Sequence, residues 1–216
     1  MIRVRVKFCG ITSVQDAGNA VLAGADAMGF VFFKDSPRYV KPQNVKAIIK
    51  TVPPFVSSVG VFVNEDVRFI EECVEMCGLD IVQLHGDEDA EYCSRFKSFK
   101  LKGVKLIKVV RVKDEGSINS IVDCPADAIL LDAYKSGLYG GTGKSFDTSF
   151  AIMAKEHAKP IIISGGLNPD NVYEVIKQVA PYGVDVSSGI ESSPGVKNVE
   201  LMEEFVKEVR RAEENS

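Results

Sequence analysis

Short runs rich in Val, Ile and Phe alternate along the chain with longer segments whose apolar residues recur every three or four positions. The short runs read as strands, and the others as helices with one buried face. Eight strands are predicted, over Val4–Cys9, Ala27–Phe32, Val56–Val63, Ile81–His85, Val104–Val110, Ala128–Asp132, Pro160–Ser164 and Val184–Ser187. Several are apolar almost throughout, as expected of parallel strands covered outside by helices.

Helices fill the intervals, each with its own stop or start signal. Thr12 with Gln15 three residues on reads as a capping box for a helix to Ala23, ended by Gly24. Pro42 suits a first turn ahead of Val45, Ile48 and Ile49. Asn64 is read as the cap of a helix through Val67, Ile70, Val74 and Cys77, which Gly78 stops. Further helices are predicted over Asp89–Phe99, Gly116–Val122, Thr148–His157, Asp170–Val179 and Val199–Ala212. Asn168-Pro169 supplies the start signal ahead of Asp170.

Eight βα units can form a closed barrel or an open doubly wound sheet. The first βα turn is CGITSVQD and lacks the G-x-G-x-x-G of a dinucleotide fold, while glycines gather after strands six, seven and eight. That distribution fits a (β/α)₈ TIM barrel with a phosphate site on its last loops. The 216 residues fit a single barrel domain spanning 1–216.

Composition narrows the function classes. A net charge of −4 argues against a nucleic-acid or membrane-surface partner held by bulk electrostatics. No apolar run approaches the roughly 20 residues of a membrane span. MIRVRVKFCG alternates like a strand and is unlike a signal peptide, so a cytoplasmic protein is expected. The five cysteines, an odd number, read as free thiols. Cys73 and Cys77 share a helix face, but two histidines are too few to complete a zinc site, so no metal is expected.

In a barrel the active site lies at the C-terminal ends of the strands, where polar residues carry most meaning. Those residues are Lys7 and Cys9, Gln83 and His85, Asp132, Ser164, and Asp185 with Ser187. Strand alternation puts Lys7 and Cys9 on one face and Phe8 on the other. If Phe8 packs on the helices, Lys7 and Cys9 face the barrel axis, where Lys7 would favour a thiolate. Cys9 alone could be a buried thiol; beside a carboxylate across the same mouth it is a candidate base or nucleophile. Asp132 ends an apolar run, and partial desolvation would help it hold a proton. Arg38 is either a bidentate grip for a substrate carboxylate or a solvated surface charge. His85 is either a titrating group or a hydrogen-bonding wall residue.

ISGGLNPDN after strand seven and DVSSGIE after strand eight form the candidate phosphate site. Gly165, Gly166 and Gly189 would allow close backbone approach, with Ser187 and Ser188 beside them. YKSGLYGGTGKSFD after strand six is long for a βα loop and could be a lid, with Gly143 as a further phosphate contact. Its GTGKS imitates the end of a nucleotide P-loop, but Leu138 stands where that motif needs its first glycine.

Taken together, KFCGIT, GADAMGFVFFKDSPRYV, VGVFVN, VQLHGDE, LLDAYKSGLYGGTGKSFD, ISGGLNPDNV and VDVSSGIESSPGVKN resemble the phosphoribosylanthranilate isomerase family, in family order over nearly the whole chain. The resemblance implies a cofactor-free Amadori rearrangement in tryptophan biosynthesis. N-(5-phosphoribosyl)anthranilate becomes 1-(2-carboxyphenylamino)-1-deoxyribulose 5-phosphate. Asp132 would protonate the furanose ring oxygen, and Cys9 would remove the C2 proton of the resulting imine. Arg38 would hold the anthranilate carboxylate, and the late glycines and serines the phosphate. Lys7, Gln83, His85 and Asp185 are expected to line the substrate. The chain departs from the family pattern at Phe8, usually isoleucine, at Thr148, usually tryptophan, and at Asn198, usually aspartate.

Two other functions remain open to the residues. A differently specific phosphosugar barrel, such as an epimerase or Schiff-base aldolase, would want a metal, a carboxylate pair or a strand lysine where Asp132 stands. A non-catalytic phosphosugar-binding barrel would need neither Cys9 nor Asp132. The expected partner is a small phosphosugar, with the chain as a monomer or homodimer.

Overall fold

The computed structural model describes residues 3–98, 103–119, 124–133, 148–156 and 159–215. Its eight parallel strands close on themselves in sequence order. They are β1 (Arg5–Cys9), β2 (Ala27–Val31), β3 (Ser57–Phe62), β4 (Ile81–Leu84), β5 (Lys105–Val112), β6 (Ala128–Ala133), β7 (Ile161–Ser164) and β8 (Gly183–Val186). A helix follows each: α1 (Val14–Ala23), α2 (Pro42–Ile49), α3 (Val67–Cys77), α4 (Ala90–Ser98), α5 (Glu115–Asn119), α6 (Thr148–Lys155), α7 (Val172–Val179) and α8 (Val199–Glu214). This is the (β/α)₈ barrel that the alternating pattern predicts. Closure seals the barrel between β8 and β1, where Lys7 stands opposite Asp185 and Phe8 opposite Val186.

Alternation of side chains divides the core in two. Outward residues meet the helices: Phe8 is fully buried and packs edge-to-face on Phe205 of α8, at 6.2 Å between centroids. Phe8 therefore points away from the axis, and its neighbours Lys7 and Cys9 point inward. Inside, Ile107, Val109, Ala128, Leu130 and Ile162 form one apolar layer, and Cys9, Val31 and Val61 form a smaller one. A cavity of about 380 Å³ opens at the N-terminal floor, lined by Arg5, Ala27, Ser57, Ile81 and Lys105. The polar strand ends lie at the opposite rim.

Local caps differ from the sequence expectation where another partner competes. Ser13, and not Thr12, caps α1 by accepting from Asp16 N–H, because the Thr12 hydroxyl donates to the Gly195 carbonyl. Gln15 bonds to Asn19 instead of closing a capping box. Asp66, and not Asn64, caps α3. Asn64 adopts a φ of 50° at the end of β3, and its amide oxygen accepts from Asp87 N–H of the next loop. The start of α7 falls at Val172, after Asn168 and Asn171 bond each other reciprocally. At α8 the Asn198 side chain accepts from Leu201 N–H, so asparagine serves the cap well.

The chain after β8 makes a feature that the strand pattern misses. A short 3₁₀ turn at Ser188–Ile190 leads into a hairpin of β9 (Glu191–Ser193) and β10 (Val196–Lys197). The hairpin folds back over the C-terminal ends of β1 and β2.

Candidate active site

Around the C-terminal rim, β1 brings Cys9, β4 brings Gln83 and His85, β6 brings Asp132, and β7 and β8 bring Ser164 and Asp185. Their contacts fall into three groups.

The first group joins Gln83, His85 and Asp132. The Gln83 amide nitrogen lies 3.2 Å from His85 Nδ1, and His85 Nε2 lies 3.3 Å from Asp132 Oδ2. With the amide donating to Nδ1, the ring carries its proton on Nε2 and directs that N–H at the carboxylate. Gln83 is wholly buried, and its Oε1 has no hydrogen-bond partner among the described residues. His85 and Asp132 are each about a quarter exposed, so both reach the mouth. The His85 ring thus touches both the Gln83 amide and the Asp132 carboxylate.

The second group lies beneath Cys9. The Lys7 ammonium donates to Asp185 at 2.7 Å, with both side chains buried, and the Ser164 hydroxyl donates to the other carboxylate oxygen at 3.3 Å. Lys7 and Asp185 spend their charges mainly on each other. Burial pushes the Cys9 thiol above its ordinary range; Lys7 opposes this, and Asp185 adds to it. Lys7 therefore favours the thiolate less than it would alone, because desolvation outweighs the help of a cation already paired with Asp185. Gly29 on β2 gives these side chains their room: a Cβ there would lie 2.9 Å from Cys9 Sγ and 3.0 Å from Lys7 Nζ.

Of the third group, the sequence expectation names Arg38 but not its partners. Arg38 forms a two-pronged pair with Glu191 of β9, Nε to Oε1 at 2.8 Å and Nη2 to Oε2 at 2.6 Å. Its methylene stem crosses Gly10, where a Cβ would come within 2.5 Å of Arg38 Cδ. Arg38 is thus no freely solvated surface charge. Lys197, with its side chain wholly buried, donates to the Cys9 carbonyl at 2.6 Å, to Glu191 at 2.8 Å and to the Ser187 carbonyl at 3.2 Å. For Glu191 and Lys197, the sequence signal is the turn-forming Pro194-Gly195 between these two charged flanks.

The two late loops meet each other. Gly165 and Gly166 have φ of 90° and 73°, a region costly for any side chain. None of the turn hydrogen bonds between described residues uses their N–H groups. A Cβ on Gly189 would fall 1.9 Å from the Leu167 carbonyl oxygen, so the loops after β7 and β8 pack in contact. Ser187 bonds back to the Cys9 carbonyl at 3.1 Å, linking this corner to β1. Gly143 and the candidate lid lie outside the described residues. Among the described residues, no cluster of three or more His, Cys, Asp or Glu is placed to hold a metal ion. The cysteines Cys73 and Cys77 are buried free thiols in α3, with Cys73 pushed up to about 12 mainly by burial.

A family model described as N-(5'phosphoribosyl)anthranilate (PRA) isomerase matches residues 6–208. The chain belongs to the N-(5'-phosphoribosyl)anthranilate isomerase family. The isomerase of Trichlorobacter lovleyi is 46% identical over 209 residues, 97% of this chain and 99% of that protein. The crystal structure of the Thermotoga maritima isomerase matches with a TM-score of 0.89 at 41% identity, covering 97% of this chain and 100% of that one. A family structure in complex with reduced 1-(o-carboxyphenylamino)-1-deoxyribulose 5-phosphate matches with a TM-score of 0.85 at 38% identity, covering 97% and 100%. The chain is an aldose–ketose isomerase of tryptophan biosynthesis, acting on N-(5'-phosphoribosyl)anthranilate. No helix among the described residues is long and apolar enough to cross a membrane.

Proposed function

We propose that Asp132 is the general acid and Cys9 the general base of this isomerisation, with no metal or cofactor. Asp132 gives a proton to the furanose ring oxygen, and the C1–O bond breaks to leave a protonated imine. Cys9, acting as its thiolate, then takes the proton from C2 to give the neutral enolamine. This becomes the ketone as C1 gains a proton and the 2-hydroxyl gives one up, returning Cys9 and Asp132 to their starting states. The observation that carries this reading is the contact between His85 Nε2 and Asp132 Oδ2. When Asp132 loses its proton, an N–H already stands where the new carboxylate charge appears. Gln83 holds the imidazole in that tautomer.

Cys9 works from β1, separated from β6 by two strands of the ring, so acid and base approach the sugar from different sides. Lys7 and Asp185 form the floor beneath it. The phosphate belongs at Gly165, Gly166, Ser187, Ser188 and Gly189, with Gly143 contributing from the loop after β6. The partner is a small phosphosugar and not a nucleic acid. The whole chain, 1–216, acts as one catalytic domain in the cytoplasm, as a monomer or homodimer.

Arg38 is the anchor for the anthranilate carboxylate. Arg38→Ala is expected to raise KM by about 10–100-fold, the worth of one charge-assisted pair, with a much smaller change in kcat. Steady-state kinetics across substrate concentration checks this, and an unchanged KM would remove Arg38 from the carboxylate site.

A further inference from the structure

Arg38 is restrained on two sides. Gly10 lies under its stem, and the Glu191 carboxylate takes the Nε and Nη2 edge of its guanidinium. A guanidinium has five N–H groups, and this pair uses two of them. The three that remain include a second fork on the Nη1–Nη2 edge, with the geometry of another carboxylate. Glu191 is itself fixed: its side chain is 4% exposed and accepts also from Lys197, which is anchored on two backbone carbonyls. Its carboxylate is held ionised, below its ordinary range, mainly by the Arg38 and Lys197 bonds against the cost of burial.

We infer that Glu191 is the positioning residue for Arg38, and through it sets the preference for a carboxylated aryl group over a plain one. The inference rests on the reading of Arg38 as the carboxylate anchor. An unrestrained arginine loses much side-chain freedom on gripping a ligand. Here that freedom is already lost in the free protein, and the unused fork is kept in one orientation. Glu191 does not touch the ligand in this account; it acts only by holding the cation that does. Its negative charge also offsets the repulsion between the two neighbouring cations, Arg38 and Lys197.

The test uses two stable ligands, reduced 1-(2-carboxyphenylamino)-1-deoxyribulose 5-phosphate and the same molecule without its carboxyl group. Calorimetric titration of the wild-type chain, Arg38→Ala and Glu191→Gln gives a Kd for each ligand. The wild type is expected to prefer the carboxylated ligand by about 10–100-fold, as one charge-assisted pair provides. Arg38→Ala should abolish that preference. Glu191→Gln should lose most of it, through weaker binding of the carboxylated ligand alone. A simple structural role predicts that both ligands weaken together, and that result would overturn the inference.

If Arg38→Ala loses the preference and Glu191→Gln keeps it, the inference fails while the anchor stands. If Arg38→Ala keeps the preference, the anchor fails and the inference with it. Should Glu191→Gln not fold, Glu191→Asp retains the charge one methylene further back. Its preference is expected between those of wild type and Arg38→Ala, and full wild-type preference would overturn the inference.

Discussion

Asp132→Asn and Cys9→Ala are each expected to lower kcat by about 10²–10⁴-fold, the usual worth of a positioned acid or base, while the reduced product analogue still binds. The side-chain amide introduced by Asp132→Asn can accept from His85 but has no acidic proton for the ring oxygen. The Cys9→Ala change leaves C2 without a base while the phosphate and carboxylate contacts persist. Both losses should therefore appear in kcat, with the analogue's Kd little changed. A variant that kept full turnover would lose its assigned role. One that lost binding and turnover in equal measure would point to damage in the rim rather than in the chemistry.

The second large effect concerns stability. Lys7→Met removes the cation from a pair in which both side chains are almost completely buried. Among the described residues, Asp185 would keep only the Ser164 hydroxyl, at 3.3 Å. Breaking a buried pair from one side costs about 3–5 kcal/mol, because the remaining charge stays desolvated. Urea unfolding should show that loss as a lower midpoint. Adding Asp185→Asn to Lys7→Met should recover part of it, since no bare charge is then left inside. Equal stability of wild type and Lys7→Met would contradict a stabilising role for the pair.

The same pair shows what the sequence can and cannot convey. Alternation in VKFCG places Lys7 and Cys9 on the inner face, and burial of Phe8 against Phe205 agrees with it. The consequence for Cys9 is not readable there, because it depends on a carboxylate 178 residues away that takes the Lys7 charge. The barrel itself is legible because its strands are covered on both sides and so carry long apolar runs, such as AILL before Asp132. Capping is less legible: Thr12 and Asn64 have the right chemistry, but their side chains are used across loops, by Gly195 and Asp87.

Arg38 stands out in the sequence, but its partner does not. Glu191 and Lys197 belong to a three-residue and a two-residue strand, too short to leave a periodic signal. The Arg38–Glu191 bond spans 153 residues of sequence, and the bond from Lys197 to the Cys9 carbonyl spans 188. Only the closing of the barrel brings them to the rim. The family resemblance supplies roles for Cys9, Asp132 and Arg38; it gives no account of what holds them.

The division of labour between Asp132 and Cys9 is tested most directly by the deuterium isotope effect at C2 of the substrate, measured on kcat/KM for the residual turnover of two variants. In Cys9→Ser a poorer base makes removal of the C2 proton limiting, so the effect should be fully expressed and well above one. In Asp132→Asn ring opening becomes limiting and comes before C2 is touched, so the effect should fall to near one. The reverse pattern, a large effect in Asp132→Asn and none in Cys9→Ser, would contradict the assignment.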